Sequence, residues 1–174
     1  MDHDSIIERI VADAAPLQVR FVSRLSLKGR NATYAPADPA VQIRVSIRLT
    51  GVDRLATLAH ILGHAEGQSA GRTEAYTRAL TASVEKWRGR PADEQRAVLA
   101  EEVDAWQRGL ALALRHGLTD TEGFLRVARD RIATMRGKLD AHLVELEAAL
   151  EQITASARPP RAAAAVPTAA DSVS

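Results

Sequence analysis

The chain has 174 residues, with 23 Lys and Arg against 22 Asp and Glu, and it contains no cysteine. This length predicts one domain with a tail, and the near-zero net charge excludes a protein that holds DNA mainly by bulk charge. Without cysteine there are no disulfides, thiolate metal sites or cysteine nucleophiles, so any metal ligands must be His, Asp or Glu.

The first fifty residues predict a short helix followed by a small β-sheet. Ser5 and Glu8 have the spacing of a capping box, and the apolar stripe that follows them stops at Pro16. Turn residues at 29–31 predict a β-hairpin. Alternating apolar and polar residues predict strands over 17–28, through Thr33 and Tyr34, and over 41–50.

The rest of the chain, after Gly51, is predicted to be helical. Gly63 and Gly67 are expected to weaken and end the first of these helices. Pro91 is favourable in the first turn of a later helix, and Gly117 is a C-cap glycine that ends it. The periodicity defines helices over about 52–62, 73–87, 91–116 and 120–155.

The final helix carries the most regular pattern. It begins at a second capping-box pair, Thr119 and Glu122, and its seam either packs on the domain's own helices or forms a coiled coil in a homodimer through residues 120–155. We therefore predict a single domain over residues 1–157 and a disordered tail over 158–174. The seam consists of Leu125, Ala128, Ile132, Met135, Leu139, His142, Leu146, Ala149 and Ile153.

Two histidines provide a motif with a chemical mechanism. His60 and His64 are four residues apart, so on a helix both imidazoles can reach one metal ion, as in the first half of a zincin zinc site. The residue after the first histidine should be a Glu that acts as general base, whereas here it is Ile61, which cannot accept a proton. Two hydrogen-bonded core histidines are the alternative interpretation of the same spacing.

Two longer segments resemble a known family. Residues 55–65 read Leu-Ala-Thr-Leu-Ala-His-Ile-Leu-Gly-His-Ala, after the strand 43–49, and residues 102–110 read Glu-Val-Asp-Ala-Trp-Gln-Arg-Gly-Leu. These segments resemble the strand, the active-site helix and the carboxylate-bearing helix of the ImmA/IrrE-like small metallopeptidases of bacteria, phages and plasmids. The resemblance extends over roughly residues 17–135.

The resemblance implies both a fold and a ligand set. The fold is α+β, mostly helical and zincin-like: an N-terminal helix and small sheet, an active-site helix, and a helical C-terminal half with a long final helix. The ligands of a zinc ion would be His60, His64 and Glu102. Asp104 is the fallback ligand, because helical positions two apart point in different directions and only one of them can face the histidines.

The resemblance also implies a function. Ile61 in the general-base position predicts a pseudoenzyme that binds zinc but is impaired as a peptidase, in a bacterial, phage or plasmid system, with a protein or peptide partner. Glu66 is the candidate for a replacement base. No apolar run approaches the roughly 18 residues that span a bilayer, and the acidic N-terminus is unlike a signal peptide. We therefore expect a cytoplasmic protein without membrane contact.

An arginine-rich sheet face gives an alternative function. Arg20, Arg24, Arg44 and Arg48 would share one face if the two longer strands pair in register, and such a cluster can bind the phosphates of a nucleic acid. A solvated outer face is the competing interpretation, because the net charge is +1 and no aromatic residue interleaves the arginines.

The remaining histidines and tryptophans have structural interpretations. His116 is placed to favour the dipole at a helix C-terminus, and His142 is interpreted as a polar residue that sets the register of the seam. Trp87 and Trp106 are interpreted as core anchors.

Overall fold

The computed structural model describes residues 2–14, 17–23, 27, 30, 32–35, 42–69 and 87–155. The protein is α+β and mostly helical, as predicted. The predicted helix over 73–87, except Trp87, and the predicted tail over 158–174 lie outside the described residues. In chain order the elements are α1 (His3–Asp13), β1 (Gln18–Val22), β2 (Ala32–Ala35), β3 (Gln42–Ser46), α2 (Gly51–Ser69), α3 (Ala92–Arg115), α4 (Thr121–Met135), a 3-10 turn (Ala141–Leu143) and α5 (Leu146–Ala155).

Aspartates cap the first helix and the fourth, and the two predicted capping boxes are wrong. Asp2 and Asp120 each accept a hydrogen bond from a backbone amide two or three residues later, at 3.3 and 2.8 Å. Each helix therefore begins at a different residue from the one expected with Ser5 or Thr119 as its cap. A carboxylate is at least as good an N-cap as a hydroxyl, because it accepts from an otherwise unsatisfied amide and also carries a favourable charge.

The three strands form one mixed sheet in the order β1-β3-β2. β1 pairs with β3 in parallel and β2 pairs with β3 in antiparallel orientation, so the predicted hairpin of the first two strands is wrong. The strands are also shorter than the alternation suggested. β3 ends at Ser46 because the chain turns there, and the Ser46 hydroxyl accepts a hydrogen bond from the amide of Arg48 at 3.3 Å. Ile43 and Val45 are fully buried under α2.

α2 continues through both glycines that were expected to end it. The reason is packing against α3: a Cβ on Gly63 would collide with the carbonyl oxygen of Ala105, and a Cβ on Gly67 would collide with the Arg108 guanidinium. On the α3 side, a Cβ on Gly109 would lie 2.8 Å from the carbonyl of Ala59. The missing side chains let the backbones of α2 and α3 approach closely, and this packing outweighs the roughly 1 kcal/mol that a glycine costs within a helix.

The predicted long final helix is broken between Met135 and Leu146, starting with a turn at residues 136–140. Gln95 on α3 is fully buried, and its amide nitrogen donates to Asp140 Oδ2 at 2.6 Å while its oxygen accepts from the Asp140 amide at 2.7 Å. The amides of Trp87 and Arg88 also donate to the Lys138 carbonyl, at 2.9 and 2.7 Å. These bonds hold the turn against the start of α3.

The break lets α5 fold back onto α3, where the Gln107 side chain donates to the Gln152 carbonyl at 2.7 Å. Leu139, Ala149 and Ile153 of the seam are buried within the domain. The seam therefore packs on the domain's own helices, whereas the continuous helix was a wrong prediction, and His142 lies exposed in the turn instead of in the seam. Among the described helices, none has the length and apolar character that crossing a bilayer requires.

The helix crossing generates a prediction about Gly109. We expect Gly109→Ala to lower the free energy of unfolding by about 1–3 kcal/mol, because the new methyl group overpacks the α2–α3 contact. The direction of the change in the free energy of unfolding is the test, because Gly→Ala within an unconstrained helix stabilises the folded protein. Urea denaturation measures the change, with Gly137→Ala in the exposed turn as the milder comparison, because its new Cβ would lie 3.3 Å from the carbonyl oxygen of Thr134 instead of 2.8 Å from the backbone of a neighbouring helix. A stabilised Gly109→Ala protein would contradict the close approach.

Candidate metal centre

The crossing of α2 and α3 brings the three predicted ligands together. His60 Nε2 lies 3.3 Å from Glu102 Oε2, and His64 Nε2 lies 3.6 Å from Glu102 Oε1. One donor atom from each residue falls in a group whose members lie within 4.8 Å of one another, so the group can hold a metal ion. All three residues are partly buried.

The spacing of the donors fits a tetrahedral ion. Ligands at 2.0–2.2 Å from zinc in tetrahedral geometry are separated from one another by about 3.4 Å. The two nitrogen-to-oxygen distances of 3.3 and 3.6 Å bracket that value. Both histidines turn Nε2 toward the same carboxylate, with ring centroids 4.5 Å apart and planes inclined by 70°. Three protein ligands would leave one coordination position for another molecule.

Glu101 is part of the centre and was missed in the sequence. Its Oε1 lies 3.3 Å from His64 Nδ1, the ring nitrogen that faces away from the ligand group. A carboxylate on the outer nitrogen of a metal-binding histidine fixes the orientation and tautomer of the ring. The available signal was the pair of adjacent acidic residues at positions 101 and 102, one of which can face each side of the His64 ring.

The other candidate residues lie outside the ligand group. Asp104 pairs with Arg108 at 3.7 Å, so the fallback ligand is not the carboxylate that the fold brings to the histidines. Glu66 is on the exposed side of α2, and within the described chain the group of donors does not include it. Ile61 is half-buried and packs against the hydrophobic core.

An aromatic stack supports His60 from behind. The Trp106 ring is 1% exposed and lies parallel to the His60 ring, with centroids 4.1 Å apart and an angle of 16°. The Phe124 ring meets the Trp106 ring edge-on, with the two centroids 5.7 Å apart. Trp106 is therefore the core anchor that was predicted. His60 Nδ1 and Trp106 Nε1 are buried and have no hydrogen-bond partner in the part of the chain that the structure describes.

Comparisons with protein families, with curated proteins and with solved structures find no match.

The three ionisable groups of the centre depend on one another. Burial lowers the pKa of His60 and outweighs the raising effect of Glu102. Burial also acts to lower the pKa of His64, but hydrogen bonds to Glu101 and Glu102 prevail and raise it from 6.5 to about 9. Burial alone would raise the pKa of Glu102, yet the two histidines hold it well below its usual range. Without metal, the centre is a protonated His64 between two carboxylates, beside a neutral His60.

The remaining predicted site residues lie on the sheet and at a helix end. Arg20 and Arg44 are register partners in β1 and β3 and both are exposed, whereas Arg48 lies in the turn beyond β3 and Arg24 lies outside the described residues. Nucleic-acid binding by this face stays a prediction. His116 caps α3 and lies 3.2 Å from Asp13 Oδ2, which ties the end of α3 to α1.

The raised pKa of His64 predicts a pH-dependent stability. Because the folded pKa of about 9 lies above the unfolded value of 6.5, the stabilisation is complete below about pH 6.5 and is lost as the pH rises to about 9. We expect the free energy of unfolding of the metal-free protein to fall over this interval, by at most about 1.4 kcal/mol per pH unit.

Urea denaturation at pH 6.5, 7.5 and 8.5 measures this slope. His64→Gln should remove it, and His142→Gln, which deletes an exposed imidazole, should retain it. An equal slope in His64→Gln and the unaltered protein would show that another group is responsible.

Proposed function

We propose that this chain binds zinc through His60, His64 and Glu102 and is a metallopeptidase-like protein with impaired catalysis. The observation that carries the proposal is the convergence of these three donors from two packed helices at the spacing of a tetrahedral ion. The i, i+4 histidine pair on one helix and the carboxylate on a later helix are also what the resemblance to ImmA/IrrE-like peptidases implies. A zincin-type fold is part of this proposal.

The donor set favours zinc over the hard cations. Two imidazoles and one carboxylate suit zinc, whereas calcium and magnesium prefer sites made only of oxygen. Glu101 supplies the outer carboxylate that such histidine ligands usually have. A bound zinc ion would act as a Lewis acid toward a ligand in the open position. The protein's part is to hold that ligand and to exclude water from the half-buried centre.

Ile61 is the basis for proposing impaired catalysis. Its side chain has no atom that can take a proton from water or give one to a leaving amine, and general acid–base assistance is worth about 10²–10⁴ in rate. Metal binding needs only the ligands. A protein that retains them and lacks the base can bind a peptide at the centre without cutting it, as a regulatory or binding module of a bacterial, phage or plasmid system.

Metal content is the first test. We expect the purified chain to bind one zinc ion, measured by native mass spectrometry and by calorimetric titration with zinc chloride. Glu102→Gln should weaken zinc by about a hundredfold or more, and Glu101→Gln by about 10–100-fold, because it loses only the support of His64. Asp104→Asn is the matched control and should bind like the unaltered chain. Absence of zinc binding, or unchanged affinity in Glu102→Gln, would refute the proposal.

Restoring the base is the second test. We expect no zinc-dependent cleavage of casein by the unaltered protein, and we expect Ile61→Glu to create measurable cleavage because it supplies the proton carrier between the two histidines. Ile61→Gln has a similar shape without a carboxylate and should stay inactive. Robust zinc-dependent cleavage by the unaltered chain would contradict the impaired site and would direct attention to Glu66 as the base.

A further inference from the structure

The two histidines of the metal centre are held in different ways. Glu101 Oε1 lies 3.3 Å from His64 Nδ1, so a hydrogen bond fixes the outer side of the His64 ring. The corresponding nitrogen of His60, Nδ1, is buried and has no hydrogen-bond partner among the residues that the structure describes. His60 therefore lacks the outer hydrogen bond that a metal-binding histidine almost always has, and another contact must fix its ring.

The indole of Trp106 lies flat against one face of the His60 ring. The two ring centroids are 4.1 Å apart and the ring planes are inclined by 16°, so the rings are close to van der Waals contact. The ring of His64 meets the His60 ring at an angle of 70° instead. Of these two neighbours, Trp106 is therefore the one that covers a face of the imidazole.

A parallel stack at this distance restricts the rotation of the His60 ring. The torsion between Cβ and an imidazole has a broad, roughly two-fold preference, so an unsupported ring turns easily. A quarter turn would drive the edge of the His60 ring into the indole. A half turn keeps the ring plane but exchanges Nε2 with a ring carbon, and the 3.3 Å contact of Nε2 with Glu102 Oε2 favours the observed orientation. Trp106 therefore sets the plane of the ring, and Glu102 sets which edge faces the ligand group.

Trp106 is itself fixed by the core. Its side chain is fully buried, and the Phe124 ring packs against it edge-on with the centroids 5.7 Å apart. Its Nε1 has no hydrogen-bond partner in the described part of the chain, so packing holds the indole in place. Trp106 and Glu102 are four residues apart on α3, and one face of that helix therefore carries both the ring and the carboxylate that contact His60.

We propose that Trp106 is a positioning residue of the metal centre, which by stacking holds the His60 ring ready to coordinate through Nε2, as Glu101 holds His64 by a hydrogen bond. This inference rests on the proposed function and adds to it a residue that contributes no ligand atom. The physical basis is preorganisation, because a ring that is already fixed loses little rotational freedom when a metal ion binds. Loss of the stack should therefore weaken metal binding.

The first measurement needs no metal. In the NMR spectrum of the metal-free full chain, the ring protons of His60 should be shifted upfield, because they lie over the face of the indole. The shift should disappear in Trp106→Leu and should be smaller in Trp106→Phe, whose ring current is weaker. His60 ring protons without an upfield shift in the unaltered chain would overturn the proposal, whether or not any variant folds.

The second measurement is zinc affinity by calorimetric titration. We expect Trp106→Leu to weaken zinc by about tenfold or more, as for other outer partners of metal-binding histidines, and Trp106→Phe to restore most of the affinity because it keeps a flat ring over His60. Ile10→Ala is the matched control, because it removes a fully buried side chain from α1 and lowers stability away from the stack. The neighbouring Arg9 donates to the His116 carbonyl, about three helical turns beyond Trp106.

The third measurement is the visible absorption of bound cobalt(II), which reports ligand geometry and is insensitive to a general loss of stability. Trp106→Leu should alter the cobalt bands, whereas Ile10→Ala should leave both the bands and the zinc affinity unchanged. If the unaltered chain binds zinc and Trp106→Leu binds it equally, or if Ile10→Ala weakens zinc as much, the positioning role is refuted while the proposed function stands. If the unaltered chain binds neither ion, the proposed function is refuted and the positioning role with it.

Discussion

Gly63 and Gly109 allow α2 and α3 to pack backbone against backbone, and the metal centre depends on this contact. His60 and His64 extend from α2 toward α3, and a carboxylate as short as that of Glu102 reaches both imidazoles because the helices are so close. A larger residue at either glycine would separate the two helices. The same constraint explains why α2 continues past positions where propensity alone would end it.

The electrostatics of the centre follow from this burial. A carboxylate and two imidazoles in a poorly solvated crossing must neutralise one another, and the proton held by His64 between Glu101 and Glu102 does so in the metal-free chain. A zinc ion would provide the same compensation and would have to displace that proton. The arrangement that makes the metal-free fold stable at moderately acid pH is therefore the one that would make zinc binding release a proton.

The sequence predicted the features that are local and missed those that depend on distant contacts. The i, i+4 histidines could be found because they lie on a helix whose register the apolar pattern defines, and Glu102 could be named because the segment 102–110 resembles the carboxylate-bearing helix of a known family. The break after Met135 could not, because α4 and α5 keep three- and four-residue spacing across it. What stops the helix is the pair of hydrogen bonds between Gln95 and Asp140, 45 residues apart. Glu101 was missed because its role appears only when the His64 ring is in place.

The break in the last helix also shapes the surface around the centre. A continuous helix would project away from the domain beyond Met135, whereas the fold-back packs α5 on α3 and anchors the end of α4 through the 136–140 turn. Because α4 is held against the domain, Phe124 supports the stack behind His60. The same buried glutamine that ends the helix therefore helps to hold the aromatic support of a centre that can hold a metal ion.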